Sequence, residues 1–178
     1  MTRDLPKRRR TRLDREAYGV IGSVCSVTIA VKERARVFGD SQVARAVVQE
    51  LKDQAVVTGV PIFAYCIMPD HVHLVLGPSP SCDIVAFVGR FKNLAQRAAW
   101  RLGVIGAFWQ RSFWDHFIRN DEPFDGVVNY VLCNPVRAGI VSHWRQYPFA
   151  GSLTLDLSGE RLESVGDLAA GDEPPPYE

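Results

Sequence analysis

Residues 64–76 read Ala64-Tyr65-Cys66-Ile67-Met68-Pro69-Asp70-His71-Val72-His73-Leu74-Val75-Leu76. The stretch spells strand, tight turn, strand. Pro69 fixes its φ and Asp70 favours a turn, so Met68-Pro69-Asp70 reverses the chain. His71 and His73 then stand two apart on the second strand, where alternate side chains share a face. Their Cα atoms would lie about 7 Å apart, close enough for both imidazoles to meet at one metal ion. Val72, Leu74 and Leu76 take the other face and point to a core. Two unrelated histidines on a half-exposed strand is the bland alternative. It weakens because the chain has only 4 histidines and half of them fall here.

Working outward, the composition is that of one globular domain: 178 residues, 47% hydrophobic and 23% charged, long enough for a proper core. No run approaches the roughly 18 apolar residues of a membrane span. The basic N-terminal residues have no apolar segment behind them, so a secretory signal is not expected. Cys25, Cys66, Cys82 and Cys133 are scattered without a Cys-x-x-Cys, which reads as reduced thiols in a cytoplasmic, nucleoid-associated protein. The net charge of +1 hides an asymmetry. Residues 160–178 hold 6 acids against Arg161 alone, and the remainder carries 20 basic and 14 acidic residues. Lys7, Arg8, Arg9, Arg10 and Arg12 form a basic arm suited to a polyanion, or simply a solvated leader.

Three regions follow: a basic arm over 1–15, one catalytic domain over 16–158 and an acidic, proline-rich, disordered tail over 159–178. Within the domain, β-branched residues from Tyr18 to Val31 predict a first strand, with a bulge at Gly22. Asp40 or Ser41 caps a helix that ends near Gly59. The strand pair around Pro69 comes next. Asp83 opens a second helix to about Leu102, and Phe108 to Arg119 reads as a fourth strand. A third helix runs from Glu122 to about Cys133, and Trp144 to Ser152 is irregular. The order β-α-β-β-α-β-α predicts an α+β fold: a ferredoxin-like β-α-β-β-α-β antiparallel sheet with one additional C-terminal helix.

That last helix carries Asn129-Tyr130-Val131-Leu132-Cys133-Asn134-Pro135-Val136-Arg137-Ala138-Gly139. Tyr130 and Asn134 are four apart and share a helix face. Pro135 pushes Asn134 toward the helix end. An aromatic at the core edge is the bland reading of Tyr130.

Three motifs in series, Met-Pro-Asp-His-Val-His-Leu-Val-Leu, Trp-Gln-Arg-Ser-Phe-Trp-Asp-His-Phe-Ile-Arg and Tyr-Val-Leu-Cys-Asn-Pro-Val-Arg-Ala-Gly, resemble the single-tyrosine HUH transposases. Within them the chain is most similar to the REP-associated tyrosine transposases, related to the IS200/IS605 group. The resemblance spans about residues 13–153. It implies that His71 and His73 bind a divalent metal, that Asn134 supplies a third ligand and that Tyr130 is the nucleophile. It also implies a single-stranded or hairpin DNA substrate with a short palindrome. Asp70 departs from the Asn frequent in the family.

The chemistry fits those groups. A tyrosine hydroxyl, with a pKa of about 10, is a weak nucleophile. A metal at the phosphate offsets charge in the transition state. Two imidazoles and an amide oxygen suit Mg2+ or Mn2+. Zinc stays open if His116 or Asp115 is recruited. Lys92 and His116 are candidate general bases. The basic arm and the helix face of Arg90, Lys92 and Arg97 suit phosphates. Trp109, Trp114 and Trp144 are available to stack unpaired bases or to fill the core. The expected function is a metal-dependent endonuclease and strand transferase acting on single-stranded DNA through a 5′-phosphotyrosine link, as a monomer or homodimer. A non-catalytic nucleic-acid-binding regulator on the same fold, or a metal hydrolase that does not need Tyr130, are the alternatives.

Overall fold

The computed structural model describes residues 14–119 and 121–158. The basic arm from Lys7 to Arg12 and the tail from residue 159 lie outside the described residues. The elements are β1 (Cys25–Ala30), α1 (Ser41–Thr58), β2 (Ile62–Met68), β3 (His71–Leu76), α2 (Ile84–Arg101), β4 (Trp114–Phe117), α3 (Phe124–Leu132), α4 (Asn134–Arg137) and β5 (Ala150–Gly151). The strands form one antiparallel sheet in the order β4-β1-β3-β2-β5. The expected β-α-β-β-α-β-α succession is present, with β5 added beside β2.

The local causes are visible in the caps. Asp40 Oδ1 accepts from the N–H groups of Gln42 and Val43 at 2.7 and 3.4 Å and starts α1. Gly59, at φ 65°, ends it by donating its N–H to Ala55 O. Asp83 Oδ1 accepts from Ala86 N at 2.7 Å and starts α2. The β2–β3 turn is anchored by its own carbonyls, since Phe38 N donates to Pro69 O and Val31 N to Asp70 O, both at 2.9 Å.

Register places the layers. β1 and β2 both run antiparallel to β3, so α1 is a crossover between parallel strands; α2 plays the same part between β3 and β4. Right-handed crossovers set both helices on one face. Val72, Leu74 and Leu76 point to that face and are fully buried. α3 crosses β2 and β3 on the opposite face, where Phe124 meets Phe63 edge to face at 5.3 Å. Val128, Val131 and Leu132 bury its inner side.

Four expectations are corrected. The first strand begins at Cys25, because Arg15–Gly19 forms a 3-10 turn that drops Tyr18 into the core, and Gly22 sits in the following turn at φ 89°. The fourth strand is only Trp114–Phe117. Trp109 keeps only an isolated antiparallel bridge to Val31, and Phe108 and Trp109 pack on Phe38, with centroids 5.8 and 5.3 Å from its ring. α3 starts at Phe124, after Pro123, and Asn134 opens a further helical turn, α4, at the junction. The irregular segment after Trp144 contains β5, whose two residues pair with Tyr65 and Cys66.

Candidate active site

His71 and His73 leave β3 on the α3 face, and their Nε2 atoms stand 2.9 Å apart with ring planes at 90°. Each outer nitrogen has its own partner. Asp70 Oδ1 lies 2.6 Å from His71 Nδ1, and Thr28 Oγ1 lies 2.9 Å from His73 Nδ1. Beside an ionised carboxylate, His71 Nδ1 carries the proton and donates. With Nδ1–H donated to Thr28 as well, both Nε2 lone pairs face one point. Two bare lone pairs 2.9 Å apart repel, so the pair calls for a shared proton or cation.

Burial keeps these rings neutral. His73 is 5% exposed, and burial, aided by the charges of His71, Arg34 and Arg137, holds it well below its ordinary pKa. Burial also lowers His71, though the hydrogen bond and charge of Asp70 oppose it. A neutral imidazole is the form that binds metal. Arg34 Nη1 stands 3.4 Å from Asp70 Oδ2. It gets there by a bend in which Glu33 and Arg34 both take φ 54°, uncommon for residues with a Cβ.

Tyr130 reaches the same place from α3. Its ring lies edge to face on His73, with centroids 6.4 Å apart, and the Arg137 guanidinium covers it at 4.5 Å. Asn134 Nδ2 donates to Tyr130 O at 2.9 Å, which commits the amino end of the amide and leaves Oδ1 outside that bond. The structure thus gathers His71, His73 and Tyr130 on one face, with Asn134 one helical turn after Tyr130. Among the described residues, no group of three or more His, Cys, Asp or Glu side chains could hold a metal. The third ligands left open for zinc are both engaged by other groups. Asp115 points to the other face, where it accepts from Tyr18 Oη at 2.5 Å, and His116 Nε2 is held by both Glu122 oxygens at 2.8 Å.

Other expected contacts separate from this site. Arg90 and Arg97 are exposed on α2, across the sheet from Tyr130. Lys92 Nζ donates to Gln110 O at 2.6 Å and fastens the loop before β4, on that same far side. Trp109, expected to contact nucleic acid, is 6% exposed, packs on Phe38, Phe91 and Phe108, and donates its indole N–H to Lys92 O at 2.8 Å. That expectation is corrected: the ring is core. Sequence reasoning missed Thr28 and Arg137. Thr28 becomes visible only through the β1–β3 register, which sets it opposite His73. Arg137 is seven residues after Tyr130, a helical repeat that the proline break obscures.

Comparison with known proteins identifies the family. The family model described as "Transposase IS200 like" matches residues 20–133, a span that holds His71, His73 and Tyr130 and stops one residue before Asn134. The REP-associated tyrosine transposase of Escherichia coli (strain K12) is 28% identical over 119 residues, covering 62% of this chain and 68% of that protein. A Haemophilus influenzae protein assigned to the same group is 31% identical over 111 residues, covering 54% of this chain and 61% of its own. A solved structure of a REP-associated tyrosine transposase bound to a REP hairpin shares the fold. Its TM-score is 0.61 at 22% identity, over 86% of this chain and 99% of that one.

Proposed function

Since the chain belongs to the IS200-like transposase family, we propose that it cuts and rejoins single-stranded DNA beside a palindromic hairpin of the REP type, with Tyr130 as the nucleophile. The observation that carries this reading is the contact of the Tyr130 ring with His73, one of two histidines whose Nε2 atoms converge. His71, His73 and Asn134 Oδ1 are the ligands we assign to a divalent cation. The amide oxygen, with water and phosphate oxygens to complete the set, lets the two imidazoles accommodate Mg2+ or Mn2+. Such an ion, when bound, supplies Lewis-acid stabilisation of charge on the scissile phosphate.

The protein groups do the rest. Tyr130 Oη loses its proton and attacks phosphorus, the bond to the 3′ oxygen breaks, and that oxygen leaves as a 3′-OH after taking a proton. The 5′-phosphate stays esterified to Tyr130. Ester for ester, the bond energy is kept, so a 3′-OH that attacks the phosphotyrosine rejoins strands without an external energy source. α3 and Arg137 hold the ring in place, which supplies orientation rather than acid–base power. Asp70 and Thr28 orient the two imidazoles. We assign Lys7, Arg8, Arg9, Arg10 and Arg12 to phosphate contacts along the flanking strand.

The test is a denaturing gel of end-labelled single-stranded DNA carrying such a palindrome, with Mg2+ or Mn2+. A covalent protein–DNA band that disappears in Tyr130→Phe and in EDTA supports the reading. Binding without cleavage in either metal would make the protein a regulator. Cleavage that survives Tyr130→Phe would make it a metallonuclease of another kind.

A further inference from the structure

Three of the four tryptophans have roles that leave no base-stacking surface beside the site. Trp109 and Trp144 are each 6% exposed, and Trp100 is on α2, across the sheet from Tyr130. Trp114 differs. It opens β4, the edge strand beside β1, and is half-buried. Register fixes its direction. Trp114 pairs with Thr28, and Thr28 pairs with His73. Directly paired residues in antiparallel strands point to the same face. The Thr28–His73 hydrogen bond shows which face that is. Trp114 therefore lies in one row with Thr28 and His73, two strand spacings or about 10 Å from the histidine.

His116 stands two residues on and shares that face. Its ring is parallel to the indole, with an interplanar angle of 13° and centroids 6.0 Å apart. It does not swing freely, because Nε2 is clamped by both carboxylate oxygens of Glu122, and Glu122 Oε2 also accepts from Arg119 N at 3.0 Å. The alternating residues turn the other way. Asp115 is bonded to Tyr18, and Phe117 meets the Tyr18 ring at 5.2 Å. β4 thus shows two parallel, stacked rings to the tyrosine face and withdraws its own carboxylate from it. α3 crosses β2 and β3 rather than β4. Exposed Arg111 and Arg119 bracket the strand with positive charge.

We propose that Trp114 and His116 form a stacking platform for an unpaired base of the DNA strand that leads to Tyr130. The inference rests on the function proposed above and names a subsite of it. The occupant is a nucleobase because flat, parallel rings suit a π face of any base, while the arginines at the ends of the strand suit the phosphates beside it.

The test measures binding in EDTA, where no cleavage is expected, by anisotropy of a labelled hairpin with a single-stranded flank. A single abasic site is moved along the flank. One abasic position should weaken wild-type binding by about 5- to 150-fold, the range of one base–aromatic stack. Trp114→Phe should keep that profile. Trp114→Leu should lose the affinity with intact DNA and lose no more at that abasic position. Equal affinity of the Phe and Leu variants, or an unchanged abasic profile in Trp114→Leu, overturns the platform. If Trp114→Leu does not fold, photocrosslinking of a 5-iodouracil-substituted flank to the wild-type protein decides instead. A crosslink on the Trp114 peptide supports the platform, and crosslinks only elsewhere overturn it. The wider reading fails separately: wild-type protein with Mn2+ would form no covalent adduct, whatever the abasic profile.

Discussion

Thr28→Val tests how the site is built without touching a proposed ligand or the nucleophile. Thr28 is 3% exposed and His73 5%, so water does not replace the lost hydroxyl. The substitution keeps the volume and the β-branch, and β1 keeps its strand preference. What disappears is the 2.9 Å bond to His73 Nδ1. A buried N–H left without an acceptor costs about 1–3 kcal/mol. The metal-free protein escapes part of that cost by moving the proton to Nε2, which then donates across the 2.9 Å gap to His71 Nε2. A cation must reverse that tautomer before His73 can bind it. Loss of an outer-shell partner of this kind lowers metal affinity about 10- to 100-fold, or about 1.4–2.7 kcal/mol. Calorimetric titration of Mn2+ into wild type, Thr28→Val and Thr28→Ser reads it directly. Ser restores the oxygen and should restore most of the affinity. Mn2+ binding by Thr28→Val within twofold of wild type would refute the orienting role of Thr28.

Two further outcomes follow from the structure. The folded pKa of His73 lies well below its ordinary value of 6.5, through burial, and that of His71 is lowered too; the unfolded chain then takes up more protons as the pH falls. Stability measured by urea in EDTA should be full above about pH 6.5 and should decline from pH 6.5 to 5.5, by up to about 1.4 kcal/mol per pH unit per histidine, with a smaller decline in His73→Gln; a flat profile over that interval would contradict the burial argument. Gly77→Ala should destabilise by about 1–3 kcal/mol, because the new Cβ would stand 2.9 Å from the Ser23 carbonyl oxygen, a backbone atom that cannot step aside; an unchanged urea midpoint would show that the β3 exit relaxes freely.

How much could be read from the chain depends on how local the cause was. The turn at Pro69-Asp70 and the caps Asp40 and Asp83 act within a few residues, and β2, β3, α1 and α2 stand where those signals put them. The pairing of His71 with His73 needed only the two-residue period of a strand. The ends of the sheet were less legible. Phe108 and Trp109 have strand-like composition, and Trp109 does bridge Val31, but residues 110–113 interrupt the ladder before β4 while both rings pack on Phe38. Tyr18 looked like the start of a strand and instead buries its ring beside Phe117. β5 is two residues long and exists because β2 offers an open edge. The charge pattern did not show on which side of the sheet the basic helix face lies. Arg90, Lys92 and Arg97 form a basic helix face, but crossover handedness places α2 on the side of the sheet away from Tyr130, a relation that no local pattern encodes.

The central claim is that Tyr130 takes the strand. Its most direct test is mass spectrometry of the protein after incubation with palindrome-bearing single-stranded DNA and Mn2+, followed by nuclease and protease digestion. The account predicts a nucleotide remnant joined through its 5′-phosphate to the peptide that contains Tyr130, and none on that peptide in EDTA. A remnant on any other residue, or cleaved DNA with no modified peptide, would contradict it.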